Sequence, residues 1–461
     1  MKRFITVLTI LLTVLLAFTG TVLAADGYPG EVSPYAVLLI DANSGTVLSE
    51  KNADQQIEPA STTKIMTLLL ALEKGNMSDV VTVSANAADQ SGSTLEPKLR
   101  TGEEVKFEDL INGMMMASGN DAAVAVAEHI GESEEGFAAM MNTKAAQLGM
   151  KNTHFVVSHG MHTEGHVTTA WDMALLTMAA MQNPQFVKIV KQTSYTMPAT
   201  NKSNSRVVKN TNKLLQSDSS SYYQYATGIK TGSTPAAGDC LVASASRNDM
   251  DLICLIFRDE YNGSERWPLA KSLFEWGFDN FTTVDVQTLL DKVEPVKIQI
   301  ENYASTDESD GLLQFEGPTS AGTFATIKKS VAEGILNGTD KIVPETSYTS
   351  SLQAPVVKGD VLGTVTYKSE KTGEPIYQGS LIATRDVLQA GAEPNASGGT
   401  AVNVMPAVNI EEITKPDNNV FYWLIIPAGL IVFLVIRLLT VTRRKRKRFN
   451  KRRPHYSYRI K

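Results

Sequence analysis

The segment Pro59-Ala60-Ser61-Thr62-Thr63-Lys64 stands directly before an apolar run, IMTLLLALEKG, at residues 65–75. That run predicts a buried helix, and proline is tolerated in a first helical turn because its missing N–H would have no partner there. Residues three apart share one helix face, so the Lys64 amine should lie beside the Ser61 hydroxyl. A neutral amine there can take the hydroxyl proton and activate serine as a nucleophile. A capped helix with a surface lysine would have the same sequence pattern, so the rest of the chain must distinguish a catalytic pair from an ordinary helix start.

The segments around this motif predict one domain of mixed helix and strand. The stretch YAVLLIDANSGTVLSEKN, residues 35–52, predicts a hairpin with its turn at Asn43-Ser44-Gly45. Helical patterns follow at 61–72, 107–116, 121–130, 134–148 and 169–180, then strand patterns at 225–232, 239–247 and 251–258, and a closing helix at 267–281. This order of strands, helices and strands predicts an α/β (α+β) domain at residues 30–280, with an antiparallel sheet flanked by helices.

The pattern changes near residue 283. Short strand-like runs are separated by Gly, Pro, Asn and Asp, and they lie at 293–301, 324–331, 361–368 and 375–384. They predict a small all-β domain at residues 283–385. Residues 386–419 are rich in Gly, Pro and Ala and predict a linker.

The two ends of the chain predict a membrane protein. Residues 1–25 combine a basic start, an apolar stretch and small residues, which is typical of a secretory signal peptide. Residues 420–441 form a 22-residue apolar stretch with one charge, Arg437, and predict a transmembrane helix. The basic tail at 442–461 should be cytoplasmic by the positive-inside rule. We therefore expect a single-pass protein of the cell membrane with its folded domains outside the cytoplasm.

The charge distribution argues against a nucleic-acid partner. Of 43 Lys and Arg, 2 lie in the predicted signal peptide and 12 lie from Arg437 onward, which leaves 29 beside 49 Asp and Glu in the exported part. A net charge of about −20 offers no basic surface for nucleic acid. An anionic substrate would need a local cationic pocket.

Two further short patterns accompany the first. Ser118-Gly119-Asn120 follows Ser61 by 57 residues and precedes a predicted helix, and Lys230-Thr231-Gly232 ends a predicted strand. Either is weak alone: the first also suits a helix N-cap, and the second recurs at 371–373 in a predicted hairpin turn. In this fixed order, however, S-x-x-K, S-x-N and K-T-G form the signature set of penicillin-binding enzymes.

With its flanking sequence, the chain resembles the low-molecular-mass penicillin-binding proteins that act as D-alanyl-D-alanine carboxypeptidases. The resemblance covers about residues 30–385 and includes FEDLINGMMMASGNDAAVAVAEHI, TGIKTGSTPAAGDCLVASASR and APVVKGDVLGTVTY. It implies a penicillin-recognising serine transferase fold, peptidoglycan stem peptides as substrate, β-lactam antibiotics as covalent ligands, and no cofactor. One departure is Ser233, where some members carry a histidine.

The resemblance also implies a role for each motif residue. Ser61 would attack the carbonyl of the penultimate D-alanine, and Lys64 would be the general base with a pKa lowered by burial and by Lys230. The backbone N–H groups of Ser61 and Ser233 would form the oxyanion hole. The other implied assignments are a proton relay at Ser118, a substrate-amide contact at Asn120, and a carboxylate site at Lys230, Thr231 and Gly232.

Several alternatives stay open from the sequence. The same serine could serve a D,D-transpeptidase or a β-lactamase, and Glu164 could then be a deacylating residue. His159, His162 and His166 could bind zinc as in a metallo-D,D-peptidase, although H-E-x-x-H is absent and a structural loop is favoured. A non-enzymatic wall-binding protein would not need the complete motif set. Two cysteines, Cys240 and Cys254, give no metal framework, and whether they pair is undetermined.

Overall fold

The computed structural model describes residues 27–260, 263–291, 293–315, 322–349 and 351–391. The predicted signal peptide, most of the 386–419 linker, the predicted transmembrane helix at 420–441 and the basic tail lie outside these residues. Within the described ranges, no helix has the length and apolar character needed to cross a bilayer.

The described residues contain sixteen strands and ten α-helices. The strands are β1 Ala36–Asp41, β2 Val47–Lys51, β3 Val80–Thr82, β4 Glu104–Lys106, β5 Ser194–Met197, β6 Arg206–Lys209, β7 Ala226–Thr234, β8 Gly238–Arg247, β9 Met250–Asp259, β10 Phe281–Asp285, β11 Val296–Gln299, β12 Leu312–Phe315, β13 Phe324–Lys328, β14 Ile342–Tyr348, β15 Val361–Ser369 and β16 Pro375–Ile382. The α-helices are α1 Lys64–Lys74, α2 Ala85–Ala88, α3 Phe107–Met116, α4 Asn120–Gly131, α5 Glu134–Gln147, α6 Ala170–Met181, α7 Pro184–Val190, α8 Arg266–Asn280, α9 Val286–Leu290 and α10 Lys329–Leu336.

A five-stranded antiparallel sheet forms the centre of the first domain, in the order β2-β1-β9-β8-β7. Side chains alternate between its two faces, as expected for extended backbone. Leu38 and Ile40 pack with helices α1, α3 and α4 on one face, whereas Val37 and Leu39 pack with α8 on the other. The predicted antiparallel sheet flanked by helices is therefore observed.

The two cysteines lie on opposite faces of this sheet. Cys240 packs in the cluster with α1, α3 and α4, and Cys254 packs in the cluster with α8. Both thiols are free and buried, and burial raises the pKa of Cys240 to about 12. Side chains that point to opposite sides of a sheet cannot form a disulfide. Cys240 and Cys254, whose pairing the sequence left undetermined, therefore do not pair.

The second domain is mostly strand, with its own apolar core. The sequence predicts a strand over 324–331, but β13 ends at Lys328 and an eight-residue helix, α10, follows. Val331, Ala332 and Ile335 repeat at helical spacing and pack on that core, which explains the helix. The prediction of an all-β domain therefore needs this correction, and the short helix α9, Val286–Leu290, lies in the same domain.

The segment around Ser61 departs from a continuous helix. The sequence predicts one helix over 61–72, but residues Ala60–Thr63 form a 3₁₀ turn and α1 begins at Lys64. The hydroxyls of Thr62 and Thr63 donate to the carbonyls of Pro59 at 2.6 Å and Ala60 at 2.8 Å. Ala60 has φ +48°, a conformation unusual for a residue with a Cβ. The turn places Ser61 beside the edge strand β7.

Candidate active site

Ser61 and Lys64 meet as the S-x-x-K spacing predicts. The Lys64 Nζ lies 3.0 Å from Ser61 Oγ, and it also lies 2.7 Å from both Asn120 Oδ1 and the His159 carbonyl oxygen. Lys64 has no exposed surface, whereas Ser61 is partly exposed. Ser61 is therefore accessible to solvent, while its amine partner Lys64 is fully buried.

The partners of Lys64 suit a neutral amine. A carbonyl oxygen can only accept a hydrogen bond, so Asn120 Oδ1 and the His159 carbonyl take two N–H groups. A neutral amine then has its lone pair left for the Ser61 hydroxyl proton. The pKa of Lys64 lies well below its ordinary 10.5, chiefly because of burial and then because of Lys230, although Asp121 opposes the shift.

The loop between α3 and α4 carries Ser118 and Asn120. Ser118 has φ +55°, and its backbone conformation turns the chain into α4. Asn120 is buried: its side-chain NH₂ donates to the Ser91 carbonyl at 2.7 Å, and its backbone N–H donates to Ser93 Oγ at 3.1 Å. Ser93 in turn donates to the buried Asp121 at 2.6 Å. Asn120 thus orients Lys64, a contact that sequence reasoning did not predict, and both ends of its side-chain amide have protein partners.

The K-T-G segment on β7 brings a second buried amine, that of Lys230, to the site. The Lys230 Nζ donates to Ser118 Oγ at 3.1 Å and to the Thr231 carbonyl at 2.9 Å. Among the described residues these contacts use two of its three possible N–H groups, so one remains for a ligand. Burial lowers the pKa of Lys230 from 10.5 to about 7. The Thr231 hydroxyl lies 2.6 Å from the hydroxyl of Thr211, which the sequence analysis missed.

Gly232 and Ser233 bring β7 against the Ser61 turn. A Cβ placed on Gly232 would lie 3.0 Å from Ser61 N, so any side chain would press on the backbone amide of Ser61. Ser233 is exposed, and its hydroxyl donates to the buried Asp239 at 2.5 Å. Asp239 is ion-paired with Arg266 at the start of α8. The end of β7 is therefore held by a buried acid that the motif set does not include.

The three histidines do not converge as a zinc site would require. His166 contacts Thr63, His159 lies 3.4 Å from Glu134, and the exposed His162 pairs with Glu58 at 2.9 Å. Within the residues that the structure describes, no group of three His, Cys, Asp or Glu is arranged to hold a metal ion. The zinc alternative gains no support, and these side chains instead organise the loop beside α1.

The structure brings the predicted site residues together around Ser61 and Lys64. Three chain segments that are far apart in sequence supply them: the 3₁₀ turn with α1, the α3–α4 loop, and β7. The residues that sequence reasoning missed are those that fix the motif side chains in place, namely Ser93, Asp121, Thr211 and Asp239. Asp121 adjoins Asn120 and Asp239 follows Ser233 by six residues, whereas Ser93 and Thr211 lie 27 and 20 residues from the motif residues they contact, so a local signal could not have found those two.

Comparisons with known proteins match both domains. A family model described as D-alanyl-D-alanine carboxypeptidase matches residues 23–260, and one described as penicillin-binding protein 5, C-terminal domain, matches residues 336–389. D-alanyl-D-alanine carboxypeptidase DacF of Bacillus subtilis is 33% identical over 362 residues, which is 77% of this chain and 86% of that protein. Penicillin binding protein 5 from Haemophilus influenzae is 29% identical with TM-score 0.62, covering 78% of this chain and 99% of its own. The K15 DD-transpeptidase of Streptomyces, in a mutant form, is 30% identical with TM-score 0.50, covering 54% and 99%.

Proposed function

Since the chain belongs to the D-alanyl-D-alanine carboxypeptidase family, we propose that it removes the terminal D-alanine from peptidoglycan stem pentapeptides through an acyl-enzyme on Ser61. Family membership confirms the resemblance drawn from the three motifs and makes the chain a hydrolase. The observation that carries the assignment of Ser61 is its contact with Lys64, whose two carbonyl partners leave a lone pair for the serine proton.

The first step is acylation. Lys64 takes the proton from Ser61 Oγ as that oxygen attacks the carbonyl carbon of the penultimate D-alanine. The oxyanion is stabilised by the N–H groups of Ser61 and Ser233, which the approach of Gly232 to the turn holds near one another. The C–N bond then breaks, and Ser118 relays to the leaving D-alanine nitrogen the proton that Lys64 took from Ser61, so that Lys64 is again neutral. Water then attacks the ester carbonyl carbon, Lys64 takes the water proton, and that proton returns to Ser61 Oγ as the bond between Ser61 Oγ and the acyl carbon breaks.

The free carboxylate of the terminal D-alanine selects the substrate. Lys230 in its protonated form offers an N–H to that carboxylate, and the Thr231 hydroxyl offers another hydrogen bond. Since the surrounding exported chain is acidic, this buried cation supplies the local attraction that the sequence analysis expected. A β-lactam with its own carboxylate would occupy the same contacts and acylate the same serine.

Labelling with a fluorescent penicillin tests this function. We expect the wild-type chain to bind the label covalently and to release D-alanine from a pentapeptide ending in D-Ala-D-Ala, and we expect Ser61→Ala to do neither. The matched control is Ser84→Ala, because Ser84 also begins an S-x-N triplet but caps the short helix α2. Unchanged D-alanine release by Ser61→Ala would refute the assignment.

A transpeptidase is the second candidate, because a protein described as a DD-transpeptidase shares the fold. The two are separated by adding an amine acceptor, such as a D-amino acid, to the pentapeptide assay. A carboxypeptidase yields free tetrapeptide as its main product, whereas a transpeptidase yields the acceptor adduct. A penicillin adduct that turns over within seconds would instead indicate a β-lactamase.

We further propose that the catalytic domain lies outside the cytoplasmic membrane. The support is in the sequence: the signal-like residues 1–25, the apolar stretch 420–441 and the basic residues after it. The expected result is a membrane-bound protein that alkaline carbonate does not extract, and loss of that property when the chain is ended at residue 419. Carbonate extraction of the full chain would contradict the anchor.

A further inference from the structure

The turn that carries Ser61 is held from behind by a histidine. Ala60 is in the left-handed region at φ +48°, and its carbonyl accepts the Thr63 hydroxyl at 2.8 Å. The same hydroxyl oxygen lies 2.9 Å from His166 Nε2. His166 is 2% exposed and lies 103 residues from Thr63 in sequence. The sequence analysis considered His166 as a zinc ligand, but its ring contacts Thr63 in the 3₁₀ turn that contains Ser61.

The direction of every hydrogen bond in this chain of contacts is fixed. The Val156 backbone N–H can only donate, so His166 Nδ1 accepts it at 3.0 Å and carries no proton. The neutral ring must then carry its proton on Nε2. The Ala60 carbonyl can only accept, so the Thr63 proton is given to Ala60 and the Thr63 oxygen accepts the His166 Nε2–H. Each group therefore has one available role.

The ring stays neutral for physical reasons. Burial, with smaller contributions from His154 and Lys64, lowers the pKa of His166 from 6.5 to about 4. A second proton would also remove the acceptor for the Val156 N–H. Phe155 lies against the ring, with 5.8 Å between the ring centroids. The imidazole is thus held in one tautomer and one orientation by its surroundings.

The segment that carries His166 contacts two consecutive residues of the S-x-x-K motif, Thr63 and Lys64. The His159 carbonyl accepts from Lys64, while His166 reaches Thr63. The proposed oxyanion donor, Ser61 N–H, belongs to the peptide that follows the Ala60 carbonyl carbon. Rotation of that peptide would move its C=O and N–H together, so fixing the carbonyl also fixes the N–H.

We propose that His166 is a positioning residue for acylation: through Thr63 it fixes the Ala60–Ser61 peptide so that the Ser61 N–H points at the developing oxyanion. This inference rests on the proposed function. It assigns His166 no contact with substrate and no proton transfer. Its effect should therefore appear in kcat and in the penicillin acylation rate, and much less in KM.

Four variants test the proposal on the full chain. His166→Leu and Thr63→Val each break the contact, and both should lower kcat and the acylation rate by about 10- to 100-fold, with KM changed less than about threefold. The double variant should be no slower than the slower single one, because both changes remove the same contact. His166→Gln should recover part of the rate, since its amide can accept from Val156 and donate to Thr63.

His162→Leu is the matched control, because His162 belongs to the same loop but is exposed and bonded to Glu58. It should leave kcat unchanged. The final fraction labelled by fluorescent penicillin reports how much of each variant is folded, so a slow rate with full final labelling is a positioning effect. If His166→Leu fails to fold, the test is the comparison of Thr63→Val, which loses the hydroxyl, with Thr63→Ser, which keeps it.

Wild-type kcat in Thr63→Val would overturn the proposal, as would losses that multiply in the double variant or an effect confined to KM. These failures differ from failure of the proposed function. If wild type released no D-alanine, or if Ser61→Ala still did, the function itself would be wrong. If wild type is active and depends on Ser61 while the Thr63 and His166 variants match it, only the positioning role is lost.

Discussion

Replacing Lys230 by methionine should make the protein more stable at neutral pH while it impairs substrate recognition. Lys230 is 1% exposed, and burial lowers its pKa from 10.5 to about 7. In the unfolded chain the amine is protonated up to about pH 10.5, whereas in the folded protein it resists protonation. That difference costs about 5 kcal/mol of stability at pH 7 and below.

The cost has a defined pH window. Because the folded-state pKa is depressed, the wild-type free energy of unfolding should rise with pH between about 7 and 10.5 and then level off. Methionine has similar length and no charge, but it loses the bonds to Ser118 and to the Thr231 carbonyl, worth about 1–3 kcal/mol. We therefore expect Lys230→Met to be more stable by about 2–4 kcal/mol at pH 7 and less stable than wild type above pH 10.5.

Urea unfolding followed by tryptophan fluorescence at pH 6, 7, 9 and 11 measures this difference. Lys209→Met is the control for the general effect of exchanging a lysine for methionine, because Lys209 is exposed on β6. In parallel, the KM for a D-Ala-D-Ala pentapeptide should rise in Lys230→Met. A wild-type stability that is flat from pH 7 to pH 10.5, or a Lys230→Met protein that is less stable at pH 7, would refute the reasoning.

Three further predictions concern Thr211, Gly232 and the two cysteines. Thr211→Val should raise KM about 3- to 10-fold with little change in kcat, because the Thr231 hydroxyl loses a bonding partner at 2.6 Å, whereas Thr211→Ser should keep wild-type kinetics. Gly232→Ala should slow penicillin acylation by about 10- to 100-fold, since its Cβ would meet backbone atoms at 3.0 and 3.2 Å that cannot move aside; normal acylation would contradict the close approach. Cys240 and Cys254 should both react with a thiol reagent in urea without prior reduction, and a thiol count of zero by mass spectrometry would show that the sheet faces are misassigned.

Much of the fold could be predicted from local patterns. The helices at 107–116 and 134–147 and the three long strands follow the expected segments closely. The predicted element boundaries were wrong in two places, where side-chain hydroxyl bonds or a short apolar repeat favoured a local structure different from the one that the surrounding sequence indicated. Thr62 and Thr63 bond back to the turn before them, which delays α1 to Lys64, and Val331 begins a helical repeat where a strand was expected.

The sequence by itself identified the residues that we propose carry the chemistry, because S-x-x-K, S-x-N and K-T-G are short patterns whose order can be read along the chain. Only the tertiary structure decided how those residues are held. The contact between Lys230 and Ser118 joins residues 112 apart, and His166 reaches Thr63 across 103 residues. The periodicity of apolar residues indicates the type of a single helix or strand and which of its faces is buried. Contacts between distant segments depend on how whole elements pack, and so the state of the Lys64 amine, the histidine behind Ser61 and the opposed cysteines emerge only from the folded chain.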